Sequence, residues 1–331
     1  MNSGYDAIVE GVGGMGSSAC YHLAQRGMTV LGLEQFDIPH AKGSSHGQSR
    51  AIRMCYELHD GYVPLVRRAY ELWRELEAAT GQALLHVTGG LFLGHSDRPF
   101  FQRKLHAMRR HNLPHEALDR QQIAERFGQF KVGDDYEALF DPNAGLVRPE
   151  LAIATHAELA MRYGAVLHGH EPVTSWTSDA DGVSVTTDRS NYHADRLVFC
   201  GGAWSKKLIE GLGVELSVTR QALAWVWPKR PELFALGTLP VWALNTDDGD
   251  TYYGFPMLSD SPGFKLALDK LGRQVNPDQF DREPTQQDRS EIRYCLENFV
   301  PDADPEGGGV LAMRLCMYTV TPDRNFIVDR H

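Results

Sequence analysis

The sequence predicts an α/β fold in which a parallel, nucleotide-binding sheet is interrupted along the chain by a β-rich insertion. Three observations carry that reading. An apolar strand at the amino end runs into a glycine-rich turn and a small-residue helix. Strands and helices alternate through the middle of the chain. From Ala222 to Leu268 the pattern is mostly β.

The first element is the strand Tyr5-Asp6-Ala7-Ile8-Val9, which enters Gly11-Val12-Gly13-Gly14-Met15-Gly16. A helix of small residues follows through Leu23, Gly27 ends it, and a second strand, Met28 to Leu33, finishes at Glu34. This is G-x-G-x-x-G between strand and helix, with an acid about twenty residues on, the fingerprint of a Rossmann-type dinucleotide site. Gly11 permits the tight turn, Gly13 lets backbone N–H groups approach a pyrophosphate, and Gly16 lets helix and strand pack closely. The helix N-terminus turns the positive end of its dipole to the phosphates, and Glu34 is placed to accept from ribose hydroxyls. The bland alternative is an ordinary glycine-rich turn. Glu10 breaks the pattern. A strand of this kind is covered on both faces, and a buried carboxylate there costs several kcal/mol unless paired or protonated. Glu10 is therefore expected to keep its proton or to reach water.

The remaining elements follow in order. A polar loop runs from Asp37 to Gly47, and Tyr62, Leu65, Val66, Ala69, Leu72, Trp73 and Leu76 give helical spacing between Gly61 and Ala79. A β-type run, Val87 to Leu93, precedes a charged helical stretch from Phe100 to His111, and Asp141-Pro142-Asn143-Ala144-Gly145 has turn chemistry. Leu151 to Tyr163 reads as an amphipathic helix, followed by short strands at Ala165–His168, Val183–Thr187 and Arg196–Cys200. The last enters Gly201-Gly202-Ala203-Trp204-Ser205, a second strand–turn–helix step. Strands are expected at Thr251–Phe255, Phe264–Leu268 and Val310–Val320, and a helix at Asp288–Phe299.

Composition excludes several classes. The 331 residues suffice for two domains, and 42% apolar with 23% charged residues describes a soluble globular chain. The net charge of −10 disfavours nucleic acid and anionic membranes. No apolar run approaches the roughly 18 residues of a membrane span, and a first strand at Tyr5 leaves no room for a signal peptide. Cys20, Cys55, Cys200, Cys295 and Cys316 are scattered, with no C-x-x-C pair, so neither a disulfide framework nor a zinc site is expected. No metal-ligand spacing appears among the histidines, and a reducing cytoplasm is the expected home.

The glycine motif alone does not separate NAD from FAD. Four further runs occur in order: Gly43-Ser44-Ser45-His46-Gly47-Gln48-Ser49-Arg50-Ala51-Ile52-Arg53, Tyr252-Tyr253-Gly254-Phe255-Pro256, Phe264-Lys265-Leu266, and Arg314-Leu315-Cys316-Met317-Tyr318-Thr319. In that combination the chain resembles the family of monomeric sarcosine oxidases and N-methyltryptophan oxidases, from the first strand to about Asp329. The resemblance implies FAD as cofactor. With the order of elements above, the expected organisation is a discontinuous FAD-binding Rossmann-type domain (1–85, 145–218 and 308–331) with an inserted β-rich α+β substrate domain (86–144 and 219–307).

The resemblance also implies roles. Cys316 matches the cysteine whose sulfur bonds covalently to the flavin. Lys265 matches the lysine that promotes reaction with dioxygen, and Arg53 the arginine that grips the substrate carboxylate. His46, Ser49 and Arg50 match residues around the flavin, with His46 and Arg50 in the catalytic set. Tyr253 and Tyr318 match aromatics beside bound substrate. Val173 matches a residue whose backbone meets the adenine, and Gly202 and Trp204 match the second flavin-contacting turn. Gln35, Gly43, Ser44 and Met317 complete the expected cofactor contacts beside Gly11, Gly13, Gly14, Met15, Gly16 and Glu34.

General chemistry agrees with these roles. An arginine fork holds a carboxylate bidentately, a fixed cation assists electron transfer to dioxygen, and a thiolate nucleophile needs positive neighbours, for which Arg314, Lys265 and Arg50 are candidates. Arg50 and Arg53 would share a face if their segment were helical. Each also has a plain reading: Cys316 as a buried apolar thiol, Arg50 and Arg53 as solvated charges, Lys265 as a solvent-facing strand residue, the tyrosines as core or rim aromatics.

Two departures from the family pattern stand out. Asp269 replaces a histidine that helps position substrate, which favours a larger or more cationic amine. The chain also stops at His331, where the family continues for roughly sixty residues with a glycine-rich loop, a second carboxylate-binding lysine and a helix over the flavin. The expected function is FAD-dependent oxidation of a secondary (N-methyl or cyclic) amino acid by dioxygen, in a monomer. The alternatives are a flavin-binding protein without turnover and an NAD(P)-dependent dehydrogenase.

Overall fold

The computed structural model describes residues 4–56, 59, 61–209, 213, 215–303 and 309–330. Its first third holds β1 (Tyr5–Glu10), α1 (Gly14–Gln25), β2 (Val30–Leu33), β3 (Arg50–Ile52), α2 (Tyr62–Thr80), β4 (Leu85–Val87), β5 (Gly90–His95) and α3 (Pro99–Arg110). Next come β6 (Glu116–Leu118), α4 (Arg120–Arg126), β7 (Tyr136–Asp141), β8 (Gly145–Val147), α5 (Pro149–Arg162), β9 (Val166–His168), β10 (Val173–Asp179), β11 (Gly182–Thr187) and β12 (Asn191–Phe199). The last part holds α6 (Ser205–Leu208), β13 (Ser217–Val226), β14 (Val241–Asn245), β15 (Thr251–Phe255), β16 (Phe264–Leu268), α7 (Gln286–Phe299) and β17 (Val310–Val320).

These strands form three sheets. The nucleotide-type sheet runs β10-β11-β12-β1-β2-β9. Its centre is parallel: β1 pairs with β2 and β12, and β2 with β9. Ile8, Val9, Leu31 and Leu33 are buried to within about a percent, as a strand covered on both faces requires. α1 packs on α5 and, with Leu76 of α2, closes one face. The crevice beyond the carboxyl ends of β1, β2 and β12 is where an open sheet of this type takes ligands.

Two glycines make the first turn possible. Gly11 has φ +82°, and a Cβ there would stand 2.6 Å from the Cys200 carbonyl oxygen. A Cβ on Gly16 would lie 1.7 Å from the Gly11 carbonyl oxygen, so α1 approaches β1 only because that hydrogen is all the side chain there is. Gly16→Ala is accordingly expected to push α1 off the strand. Overpacking of this kind costs about 1–3 kcal/mol or more, and FAD titration together with thermal melting should report weakened binding and a midpoint lowered by several degrees.

The second sheet has eight strands, β17-β13-β16-β15-β14-β5-β7-β6, and carries the largest core, where Leu266, Leu244, Ile292 and Leu296 are buried between the sheet and α7. Burying each such side chain contributes about 1.5–3 kcal/mol. The segment 308–331, expected with the nucleotide-binding part, sends its strand here instead. β17 lies antiparallel to β13 from Ser217↔Val320 to Val226↔Val310, a ten-residue ladder that no neighbour in the other sheet offers. The third sheet, β3-β8-β4, packs Leu146 against Val241 and Phe255 of the large sheet and Leu85 and Val147 against Ala152 of α5.

Other expectations shift in detail. The run Val87–Leu93 is not one strand: Thr88 and Gly89 hand the chain from the small sheet (β4) to the large one (β5), with Phe140 filling the space beside Gly89. Arg50 and Arg53 do not share a helical face. Arg50 opens β3, opposite Val147 of β8, and Arg53 follows the strand's end. Among the described residues no helix is long and apolar enough to cross a membrane, and no cluster of His, Cys, Asp or Glu is arranged to hold a metal ion.

Candidate active site

A cavity of about 1000 Å³ runs from the glycine turn to the eight-stranded sheet. That is the upper end of the roughly 300–1,000 Å³ range of small-molecule sites. At one end Gly11, Gly13, Gly14 and Met15 line it with Glu34, Gln35, Gly202 and Trp204. Among the described residues no side chain caps the start of α1, so its first turn presents uncapped amides to the cavity, as an anion-binding helix start requires. Glu34 is buried. Its Oε2 accepts from Val12 N–H (2.9 Å) and its Oε1 from Phe36 N–H (3.0 Å), with His40 Nε2 3.5 Å away. It therefore ties the glycine turn to β2, and a carboxylate's further lone pairs stay open to hydroxyl donors.

In the middle of the cavity, Gly43, Ser44 and Arg50 face Cys316 and Met317 from β17. Cys316 is 1% exposed, and the Arg50 guanidinium lies 3.3 Å from its sulfur. Arg50 also donates to the carbonyls of Ser44 and of Ser49 (3.1 Å), which fixes the fork over the thiol. Of the sequence candidates for the positive neighbour, Arg50 takes the part. Arg314 is exposed and lies over the Trp225 ring.

At the far end stand Arg53, Tyr253, Tyr318 and Asp269, with Tyr56, Phe92 and Phe100. The Arg53 guanidinium lies over the Tyr56 ring at 4.6 Å. The hydroxyls of Tyr253 and Tyr318 are 3.3 Å apart. Burial pushes the Tyr253 phenol up to about 12 and Tyr318 well above its usual range, so both remain neutral hydrogen-bonding groups at neutral pH. Asp269 is exposed at the mouth, close enough to act electrostatically on both phenols.

Several expected residues lie outside the cavity wall. Lys265 of β16 is 2% exposed and sits just behind the Gly47–Arg50 loop. Its Nζ donates to the carbonyls of Gly47 (2.8 Å) and Ser49 (2.6 Å) and lies 4.3 Å over the Phe255 ring. Burial, then Arg50, press its pKa well down, against a nearby Glu150 carboxylate that pushes it up. His46 is buried with neither ring nitrogen bonded among the described residues, and burial and nearby cations push its pKa to about 3. It is a neutral packing group, not a base facing the cavity. Ser49 is buried behind Arg50, Gly16 is spent on helix–strand packing, and Val173 packs at the β10 edge of the first sheet.

Glu150 escaped the sequence reading. Placed in the first turn of α5 after Pro149, it accepts from Gly47 N–H (2.6 Å) and Gln48 N–H and so holds the loop that carries Arg50. Its Pro-Glu start marks a helix N-terminus, but nothing in the local pattern points to a loop a hundred residues away.

A nucleotide-type glycine turn opening onto a thiol under a guanidinium, with an arginine and a phenol pair beyond, defines a flavin-dependent oxidoreductase. The chain belongs to the FAD dependent oxidoreductase family, whose pattern matches residues 6–331. It is 39% identical to the monomeric sarcosine oxidase of Streptomyces avermitilis, over 100% of this chain and 86% of that protein. It is 34% identical to the N-methyl-L-tryptophan oxidase of Yersinia pestis, over 98% of this chain and 86% of that one. Among solved structures, NikD, an unusual amino acid oxidase essential for nikkomycin biosynthesis, matches with TM-score 0.85 at 27% identity over 96% of this chain and 82% of that chain. Glycine oxidase from Geobacillus kaustophilus shares the fold at TM-score 0.79 and 22% identity, over 99% and 86%.

Proposed function

We propose that this protein oxidises a secondary amino acid, N-methyl or cyclic, with dioxygen as electron acceptor. The observation that carries the reading is that Arg53 and Cys316 line one cavity with the Tyr253–Tyr318 pair. The relatives named above point the same way.

The residues present fit FAD: uncapped helix amides for the pyrophosphate, Glu34 for ribose, and a thiol at the cavity's centre for the covalent link. Bound FAD supplies the two-electron acceptor for the amine and returns the electrons to dioxygen as hydrogen peroxide. Arg53 holds the substrate carboxylate in a two-point grip. The neutral phenols of Tyr253 and Tyr318 hydrogen-bond to substrate without adding charge. Among the described residues at the substrate end of the cavity, none is poised as a strong base: the phenols are held neutral, and His46 does not line the cavity. The amine therefore enters without its extra proton, helped by the Arg50 and Arg53 charges, which disfavour an ammonium between them. Overall, an N-methyl amino acid, dioxygen and water give the free amino acid, formaldehyde and hydrogen peroxide; a cyclic amine stops at the imine. The five free thiols suit a reducing cytoplasm, and the name of the monomeric sarcosine oxidases that this chain resembles points to a monomer.

A peroxide-coupled screen of sarcosine, N-methyltryptophan and pipecolate tests this directly. Peroxide with at least one secondary amino acid is expected, and none from any of them in a flavin-loaded preparation would overturn the reading. Arg53→Lys keeps the charge but loses the fork, and should raise KM about tenfold or more with a smaller change in kcat; steady-state kinetics with the best substrate checks it.

A further inference from the structure

Glu10 ends β1 at the floor of the cavity, directly before Gly11, in register with Leu33 of β2 and Phe199 of β12. It is 8% exposed, and its Oε2 is buried with no hydrogen-bond partner among the described residues. A side chain built on Gly201 would meet the two carboxyl oxygens at 2.8 and 3.1 Å, so the group lies flat against the second glycine turn. The titratable groups that face it are few. Glu34 comes from the end of β2; Cys200 comes from the end of β12, with Cys20 of α1 beyond it; His40 stands behind Glu34. Burial first, and Glu34 second, push Glu10 up to about 8, and Cys200 is held up at about 11, so the thiol does not compete in that range.

A buried carboxyl without a partner costs free energy that the fold does not recover. As a carboxylate it would add a negative charge beside Glu34 and an incoming pyrophosphate. As an acid it carries one O–H donor that no described protein atom accepts. A dinucleotide brings ring nitrogens and ribose oxygens, which are acceptors of the kind the neutral acid lacks. We propose that Glu10 is a proton-bearing contact for the nucleotide half of FAD, the neutral acid donating its O–H to an acceptor on the bound molecule, so that binding and protonation are linked. This rests on the flavin reading above. No covalent step is involved: one proton moves from solvent to Glu10 when FAD binds to the ionised form.

The test uses the full chain carrying Cys316→Ala, which keeps binding reversible, stripped of flavin and titrated with FAD by fluorescence quenching. Dissociation constants are compared across roughly pH 6 to 9 for this parent and for the same chain with Glu10→Gln or Glu10→Val. In the parent, Kd is expected to stay level up to about 8 and then to rise about tenfold per pH unit. Titration calorimetry in two buffers at about pH 9 should find close to one proton taken up per FAD. Both Glu10 variants should bind with flat pH profiles and no linked proton. Parallel profiles in parent and variants, or no proton uptake by the parent, would overturn the assignment while leaving the flavin reading intact. Failure of every form to bind FAD at any pH would overturn both.

Discussion

Replacing Lys265 by methionine is expected to leave amine-driven flavin reduction within a few-fold of the parent and to slow reoxidation by dioxygen by about 10²–10³-fold. The first electron given to dioxygen makes an anion, and a positive charge fixed beforehand in a dry site lowers that barrier without reorganisation. Lys265 is buried behind the Arg50 loop, with two carbonyls and the Phe255 face holding its Nζ in place. Methionine fills similar volume, and the carbonyls keep other donors: Gly47 O still accepts from Ser49 N–H (2.8 Å), and Ser49 O from Arg50. Damage to the loop is therefore limited, and the loss is chiefly one of charge. Because burial and Arg50 hold its pKa well below the ordinary lysine range, the cation is lost as pH rises through a midpoint below that range. The reoxidation rate should fall across the same interval, and the methionine variant should show no such step. Lys265→Gln separates charge from anchoring, since it keeps N–H donors for the carbonyls. Stopped-flow reoxidation that is slow in both variants supports the electrostatic role, and an unchanged rate in the methionine variant would end it.

The legible parts of this molecule were those whose signal is local. The β1–α1–β2 unit is written in contiguous apolar residues and glycines whose positions the close contact of Gly16 with Gly11 explains. Strands β15, β16 and β17 were readable because alternating or continuous apolar runs end at polar turns. Strand β10 was not, because it is the outermost strand of its sheet and most of its residues are exposed serine, threonine or aspartate. The spacing of Arg50 and Arg53 would give them a common face only in a helix, and local pattern did not decide the segment; the strand that forms is set by pairing with β8, about a hundred residues later. The site itself is assembled across such distances. Arg50 meets Cys316, Lys265 meets Gly47, and Glu150 meets the same loop. The resemblance marked Arg50, Lys265 and Cys316 and made Arg50 a candidate neighbour of the thiol, but nothing pointed to the Lys265–Gly47 contact, and for Glu150, which no motif marked, there was no signal at all. Glu10 is the reverse case: its misfit was visible in the strand pattern, and the structure supplied its surroundings.

Cys316→Ala is expected to abolish covalent flavin, so that intact-mass spectrometry of the denatured chain shows the bare polypeptide where the parent carries one FAD, and acid precipitation releases the yellow colour to the supernatant. The thiol is buried in β17, held by pairing of Cys316 with Gln221 of β13, and its sulfur makes weak contacts with the carbonyls of Ser44 (3.5 Å), Met317 (3.8 Å) and Gly43. The Arg50 guanidinium at 3.3 Å is its one strong neighbour among the described residues, and a charge at that distance would favour the sulfur as the nucleophile of the covalent link proposed above. Forming a C–S bond in place of a C–H and an S–H bond releases two electrons and two protons, which dioxygen takes up as peroxide. Linkage should therefore require oxygen and should slow when the guanidinium is removed. Arg50→Met, reconstituted with FAD in air, is expected to become covalently labelled at least tenfold more slowly, while Arg50→Lys should recover part of the rate through its charge. Non-covalent FAD should remain bound in Cys316→Ala, because the glycine turn, the α1 amides and Glu34 are untouched. A parent chain whose mass shows no flavin after aerobic reconstitution would remove Cys316 from the chemistry and return it to the role of a buried apolar thiol.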